Sequence, residues 1–291
     1  MIEKRPVSVV IPAYNEEQSV GKVIDAYRDG LTAYYGRADG FEIIVVDDGS
    51  KDATAAAARS HGATVIQHKT NHGYGATLKL GINHARFEDV LITDADDTYR
   101  VEEAIKVLDA RDGSDMAVGA RVGRTVKIPL VRRPAKWALL KLASYLSGED
   151  IPDINSGLRL FKRDDIKNYF HIVSNGFSFT MTTTLSYLAD GKDVVFVPIN
   201  YHARTGHSKI RPIRDTLLFL QVILRTIIYF NPLRVFLPIS LLLFLFGLGV
   251  ATYEVIVHHN LTDLSLISII AGIQVGATGL LADLIVRKKG R

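Results

Sequence analysis

With 291 residues, a formal net charge of only +4 and no cysteine, the chain has room for one large domain or two small ones, and it excludes disulfides, thiol nucleophiles and cysteine-based zinc sites. Its 47% hydrophobic content is high for a purely soluble protein. The opening "MIEKRPVSVVIPAYNEE" becomes charged before any long apolar run, so no signal peptide is expected, and no Gly-x-x-x-x-Gly-Lys stretch supports a P-loop ATPase.

"VSVVIPAY" and "FEIIVVDDGS" are short β-branched runs that end in turn residues, and between them Val20, Val23, Ile24 and Tyr27 repeat at helical spacing. The strand-helix-strand unit recurs. "DATAAAARSH" reads as helix, "ATVIQH" as strand, "GYGATLKLGINHA" as helix, "DVLITDAD" as strand, "VEEAIKVLDAR" as helix and "DMAVGA" as strand. Such alternation predicts an α/β fold, a mostly parallel sheet covered by helices on both faces, with ligands bound at the carboxyl ends of the strands. Further on, "LRLFK" and "DVVFVPI" read as strands and "TMTTTLSYLAD" as helix.

In that sheet Asp47 and Asp48 of "VVDDGS" and Asp94 and Asp96 of "TDAD" emerge at one edge. Four carboxylates in one crevice repel unless a cation shares their charge, and hard oxygen ligands point to Mg2+ or Mn2+ with a diphosphate completing the shell. Asp52 stands where it can cap the next helix, a structural task. "GYGATLKLG" lacks Gly-x-Gly-x-x-Gly spacing, which argues against a dinucleotide site.

From Arg121 to Gly148 lie Arg121, Arg124, Lys127, Arg132, Arg133, Lys136 and Lys141 without an acidic residue. A solvated face and a surface for phosphate or anionic lipid are equal readings of that run. In "RPIRDTLLFLQVILRTIIYF" Arg211, Arg214, Asp215, Gln221 and Arg225 share one face, the pattern of a helix lying on a membrane. Residues 235–257 and 264–286 then carry one charge each, Glu254 and Asp283, over lengths that can cross a bilayer core. Their loop "HHNLTD" has no Lys or Arg, whereas the tail "RKKGR" has four basic residues, so both the tail and the N-terminal part are expected in the cytoplasm. "GIQVG" fits a small-residue helix contact, with chance and a homo-oligomer interface as equal readings. No nucleic-acid partner is expected.

The order and spacing of "VVIPAYNEE", "EIIVVDDGS", "NHGYGATLKLGI" and "DAD" resemble the family 2 glycosyltransferases of the nucleotide-diphospho-sugar (GT-A) fold. "DINSGLRLF" and "ARTGHSKIRP" narrow the resemblance to the polyprenyl-phosphate sugar transferases, whose interfacial helices and membrane hairpin also fit. The resemblance implies that Pro12, Tyr14, Glu16, Asp47 and Asp48 frame the base and ribose of a nucleotide-sugar donor, with Asp94 and Asp96 holding metal against its diphosphate. It implies catalytic roles for Asp96, Asp153 and Arg204 and acceptor-phosphate contacts for Arg159, Ser208 and Lys209, to which the basic run adds Arg121, Arg132 and Arg133. Many members carry Gln two residues after the second aspartate, where this chain has Thr98. The implied organisation is a GT-A catalytic domain over 1–210, an interfacial region over 211–234, a membrane hairpin over 235–286 and a basic tail over 287–291.

A phosphate monoester acceptor needs no base, because it is already anionic near neutral pH. Joining two anions demands acid plus metal at the donor and basic residues at the acceptor, the division seen between Asp94/Asp96 and the Arg121–Lys141 segment. Asp153 is therefore as well suited to orienting an arginine as to acting as a base. The expected reaction is inverting transfer of one hexose, from UDP-glucose or GDP-mannose, to polyprenyl phosphate at the bilayer. Two other readings are a processive polysaccharide synthase, which would carry Gln-x-x-Arg-Trp whereas the single tryptophan here lies in "PAKWALL", and a non-catalytic membrane scaffold, against which the intact Asp94 and Asp96 argue.

Overall fold

A computed structural model describes residues 4–122, 140–145, 147–201 and 212–289. The chain divides into two compact units, Met1–Leu220 and Gln221–Arg291.

In the first unit, strands β1 (Val7–Ala13), β2 (Phe41–Asp47), β3 (Thr64–Gln67), β4 (Asp89–Ile92), β5 (Met116–Ala120), β6 (Arg159–Lys162) and β7 (Val194–Pro198) form one sheet in the order β3-β2-β1-β4-β6-β5-β7. Every pairing is parallel except those of β6, which runs against both β4 and β5. The central strands are apolar almost without interruption because both their faces are covered, as Val9, Val10 and Ile11 of β1 and Val45 and Val46 of β2 show at 0% exposure. The edge strands β3 and β7 are short and half-exposed, which limits their use as templates for a foreign strand.

Helices α1 (Val20–Tyr35), α2 (Thr54–Ser60), α3 (Tyr74–His84) and α4 (Val101–Asp109) follow the strands as the alternation predicts, and α5 (Arg163–Asn168) and α6 (Phe179–Ala189) come after β6. The predicted stripe of α1, Val20, Val23, Ile24 and Tyr27, is buried together with Leu31. Burying such aliphatic side chains contributes about 1.5–3 kcal/mol each. Asp52 accepts from the Thr54 backbone N–H at 3.0 Å, so it does serve the start of α2.

Strand order turns at β1: β2 and β3 lie on one side, β4 on the other. Pairing of Ala13 with Asp47 and of Val10 with Ile92 brings the carboxyl ends of β1, β2 and β4 to a common edge. Because β6 is reversed, its first residue, Arg159, and the loop before it reach the same edge, where Arg121 also follows β5.

Helix α7 (Pro212–Phe230) opens with proline, whose fixed backbone angle suits a first turn. In the second unit α8 (Leu233–His258) and α9 (Asp263–Lys289) are each long and apolar enough to cross a membrane. Small residues let the two helices meet: Ser240 Oγ donates to the Gly272 carbonyl at 2.7 Å, and a Cβ on Gly272 would lie 2.8 Å from the Phe244 nitrogen. Glu254 accepts from the Thr262 backbone N–H at 2.9 Å and from Ser265 Oγ at 2.9 Å, which ties the end of α8 to the start of α9.

Candidate active site

The edge shared by β1, β2, β4, β5 and β6 holds most of the residues expected to act. Pro12 and Tyr14 are half-buried around the end of β1, and Glu16 accepts from Ser19 Oγ at 2.9 Å while its backbone N–H donates to Thr54 Oγ1 at 2.8 Å. Asp47, 2% exposed, accepts from the Ser50 backbone N–H and from Gln67 Nε2, each at 3.0 Å. Asp48 accepts from the backbone N–H groups of His72 at 2.8 Å and Gly73 at 2.9 Å, pinning the loop that opens α3. Both carboxylates thus hold the loops around the end of β2.

Asp94 and Asp96 stand just beyond β4. Tyr74, the first residue of α3, donates its hydroxyl to Asp94 Oδ1 at 3.1 Å. Burial and the neighbouring Asp94 charge hold the Tyr74 phenol well above its usual value, so it stays a donor. Tyr74 is set in place because Gly75 packs against the Ser174 carbonyl, where no Cβ fits, and Lys79 Nζ ties α3 to the carbonyls of Phe170 at 2.8 Å and Val173 at 2.6 Å. Against Asp94 lies Gly157, whose added Cβ would stand 2.7 Å from Oδ2 and 2.9 Å from Oδ1. Asp96 accepts at Oδ1 from Thr98 Oγ1 at 2.6 Å and from the Thr98 backbone N–H at 3.2 Å. Thr98, fully buried, therefore bonds directly to the second carboxylate. Among the described residues no cluster of three or more His, Cys, Asp or Glu could hold a metal. Two carboxylates at a strand edge suit a Mg2+ or Mn2+ ion that takes the rest of its shell from a diphosphate and water, and do not suit an all-protein cage.

Asp153 is 2% exposed and grips Arg121 with both oxygens. Arg121 Nε donates to Oδ2 at 2.6 Å and Nη2 to Oδ1 at 2.9 Å, and the Arg121 and Asn155 backbone N–H groups add bonds of 3.1 Å each. Burial alone draws the Arg121 guanidinium down, but the Asp153 bonds outweigh it and the net direction is upward. Arg121 also lies over the Tyr201 ring, 5.2 Å from its centroid.

Arg159 departs from expectation. It is 0% exposed and turned inward, donating to the Ser156 carbonyl at 2.7 Å, the Ile154 carbonyl at 2.9 Å and Thr184 Oγ1 at 2.6 Å. Burial, opposed by the Asp153 charge, lowers it to about 10. Its place in the core makes it a brace of the 153–157 loop and keeps it from meeting an acceptor phosphate. Arg132, Arg133, Arg204, Ser208 and Lys209 lie outside the described residues.

Sequence reasoning missed Tyr74, Tyr99, Gly157 and Tyr201. Tyr99 accepts from the Gly157 backbone N–H at 2.8 Å and meets the Tyr201 ring edge-on, centroids 5.4 Å apart. The signal available for them was adjacency to the Gly-rich, "DAD", "DINSG" and "ARTGHSK" motifs.

Residues 8–170 match the family model described as Glycosyl transferase family 2, and residues 231–287 match one described as GtrB C-terminal hairpin. Glycosyltransferase AglJ of Haloferax volcanii is 29% identical over 294 residues, covering 96% of this chain and 93% of that relative. The dolichyl-phosphate hexose transferase of the same organism is 33% identical over 208 residues, covering 71% of this chain and 87% of the relative. The solved structure of glucosyl-3-phosphoglycerate synthase from Mycobacterium tuberculosis, in complex with Mn2+, UDP and phosphoglyceric acid, shares the fold with a TM-score of 0.59 at 18% identity, over 77% of this chain and 78% of that one.

Proposed function

The chain belongs to glycosyl transferase family 2, and from that membership we propose that it moves one hexose from a nucleoside diphosphate sugar, UDP-glucose or GDP-mannose, to polyprenyl phosphate at the cytoplasmic face of a membrane. The observation that carries this reading is the placement, at one sheet edge, of the Asp94 and Asp96 carboxylates together with a half-buried Arg121 locked by the Asp153 charge. The printed name of the dolichyl-phosphate hexose transferase and the match to a C-terminal hairpin support a lipid-linked acceptor.

Asp47, Asp48, Pro12, Tyr14 and Glu16 shape the donor pocket, and Asp94 and Asp96 face its diphosphate. Asp94 and Asp96 are the residues that would hold a Mg2+ or Mn2+ ion, which would neutralise charge on the departing diphosphate. Arg121, preorganised by Asp153, holds the acceptor phosphate, with Arg132, Arg133, Arg204, Ser208 and Lys209 as further contacts. A phosphate oxygen attacks the anomeric carbon while the bond to the diphosphate oxygen breaks and its electron pair leaves with the nucleotide. No proton need be removed, and one in-line displacement inverts the anomeric configuration. Asp153 acts as a positioning residue, since its two oxygens serve Arg121 and the Asn155 backbone N–H. Residues 1–210 would form the catalytic domain, 211–234 an interfacial region, 235–286 the membrane hairpin, and 287–291 a tail on the catalytic side.

The test is transfer of label from a panel of UDP- and GDP-sugars to a short polyprenyl phosphate by the purified full chain in detergent, with and without Mg2+ or Mn2+. A labelled lipid of inverted configuration from one donor, lost on chelation, is expected. No lipid product from any donor would sink the reading in favour of a processive synthase or a non-catalytic role, and retained configuration would sink the single-displacement mechanism.

A further inference from the structure

Between the stretch that carries Asp94 and Asp96 and the loop that carries Asp153 stands Tyr99, 2% exposed, for which the family resemblance gave no task. We propose that Tyr99 is a positioning residue that sets the spacing between the two halves of the site, its hydroxyl holding Gly157 against Asp94 and its ring backing the Tyr201 ring beneath Arg121. The inference rests on the assignment of Asp94 and Asp96 to the donor side and of Arg121 to the acceptor phosphate.

Each half is fixed within itself. The Tyr27 hydroxyl, reaching from α1, is bonded to Thr93 Oγ1 at 2.8 Å and donates to the Tyr99 carbonyl at 3.1 Å, so it clasps both ends of the stretch that bears Asp94 and Asp96. On the other side Arg159 holds the Ile154 and Ser156 carbonyls while Asp153 holds Arg121, which makes the 153–157 loop one braced piece.

Tyr99 joins the two pieces through both ends of its side chain. The Gly157 backbone N–H donates to the Tyr99 hydroxyl at 2.8 Å, and Ser156 Oγ donates to the same oxygen at 3.4 Å. Gly157 is meanwhile pressed against Asp94, since a Cβ there would stand 2.7 Å from Oδ2. That contact stops the loop from coming closer but cannot draw it in. The Tyr99 hydroxyl supplies the attraction, and without it the buried Gly157 N–H would have to shift toward another acceptor. The Tyr99 ring makes the second link: it meets the Tyr201 ring edge-on, centroids 5.4 Å apart at 63°, and the Arg121 guanidinium lies 5.2 Å from the far ring's centroid, within the range of a cation–π contact. Attack requires the phosphate oxygen and the anomeric carbon to stand about 3–3.5 Å apart, and a misplacement of about 1 Å costs about 100-fold in rate. Spacing between the halves is therefore felt in turnover more than in the binding of either substrate.

The hydroxyl and the ring are separable by substitution. kcat, donor KM and acceptor KM are measured on the purified full chain in detergent, with the active donor, saturating Mg2+ or Mn2+ and a short polyprenyl phosphate. Tyr99→Phe keeps the ring and frees Gly157, so kcat should fall by about 10–100-fold while both KM values stay within about threefold of wild type. Tyr99→Leu also removes the support of the Tyr201 ring and should in addition raise acceptor KM by about 3–10-fold, the equivalent of a weakened cation–π contact. Leu31→Val, a conservative change in the α1 core, should melt lower than wild type and keep its kcat. A Phe variant with wild-type kcat, one whose loss lies in KM alone, or one that loses no more kcat than Leu31→Val overturns the spacing role. A Phe variant that does not fold assigns the hydroxyl to the core and overturns it as well. A wild-type chain that transfers no sugar would instead remove the functional reading beneath the proposal.

Discussion

Replacing Asp153 by Asn keeps the size of the side chain and removes its charge. In the native site the carboxylate receives two guanidinium bonds from Arg121 and two backbone N–H bonds, at a position 2% exposed. An amide offers one acceptor oxygen, so its NH2 group must oppose either the Arg121 guanidinium or a backbone donor. Breaking one side of a buried pair costs about 3–5 kcal/mol, and the retained oxygen places Asn near the lower end, about 3 kcal/mol. For a domain of roughly 200 residues each kcal/mol moves the melting temperature by about 2–4 °C, so a fall of about 6–12 °C is expected. Thermal unfolding of the detergent-purified full chain reads this, and acceptor KM should rise more than kcat falls, because the loosened group is the one assigned to the acceptor phosphate. Loss of kcat by about 100-fold or more, with melting and acceptor KM both unchanged, is the signature of a general base and would refute the positioning role.

Gly157→Ala would drive a Cβ to 2.7 Å from Asp94 Oδ2; displacing that carboxylate should lower kcat by about 100-fold while melting moves little, and an active Ala variant would show that Asp94 can retreat without consequence. Tyr74→Phe deletes the donor to Asp94 Oδ1, and the Mn2+ concentration giving half-maximal activity should rise about 10-fold with activity recovered at saturating metal. Asp96→Ala should abolish transfer, and chelation of the wild-type enzyme should do the same until Mg2+ or Mn2+ is restored; near-normal turnover in either case would remove Asp96 from the donor side.

The edge proposed as the donor half was legible in sequence because it is built locally. Each strand runs straight into its functional loop, so "VVDDGS" and "TDAD" name both the structural element and the residues it delivers. The helix stripe at Val20, Val23, Ile24 and Tyr27 was readable for the same reason, since period alone determines which face is buried. The proposed acceptor half was less legible, because its partners are brought together from far apart: Arg121 finds Asp153 32 positions on. Arg159 shows the limit. A motif arginine beside expected phosphate contacts looks like another one, and only the inward turn of its side chain onto Ile154, Ser156 and Thr184 reveals a core brace. Period and composition carry no information on that choice of rotamer.

The reversed strand β6 has a consequence for how such a chain can diversify. β5 ends at Ala120, β6 begins at Arg159, and the two are antiparallel neighbours joined at that end by the Gly119 N–H to Leu158 carbonyl bond at 2.9 Å. The chain that leaves after Ala120 and the chain that returns at Arg159 thus stand side by side on the sheet. Lengthening the connection between them adds only slowly growing loop-closure entropy. Variation is therefore expected to concentrate in the connection ahead of Asp153, the part proposed to meet the acceptor, while the strands that deliver Asp47, Asp48, Asp94 and Asp96 stay as they are.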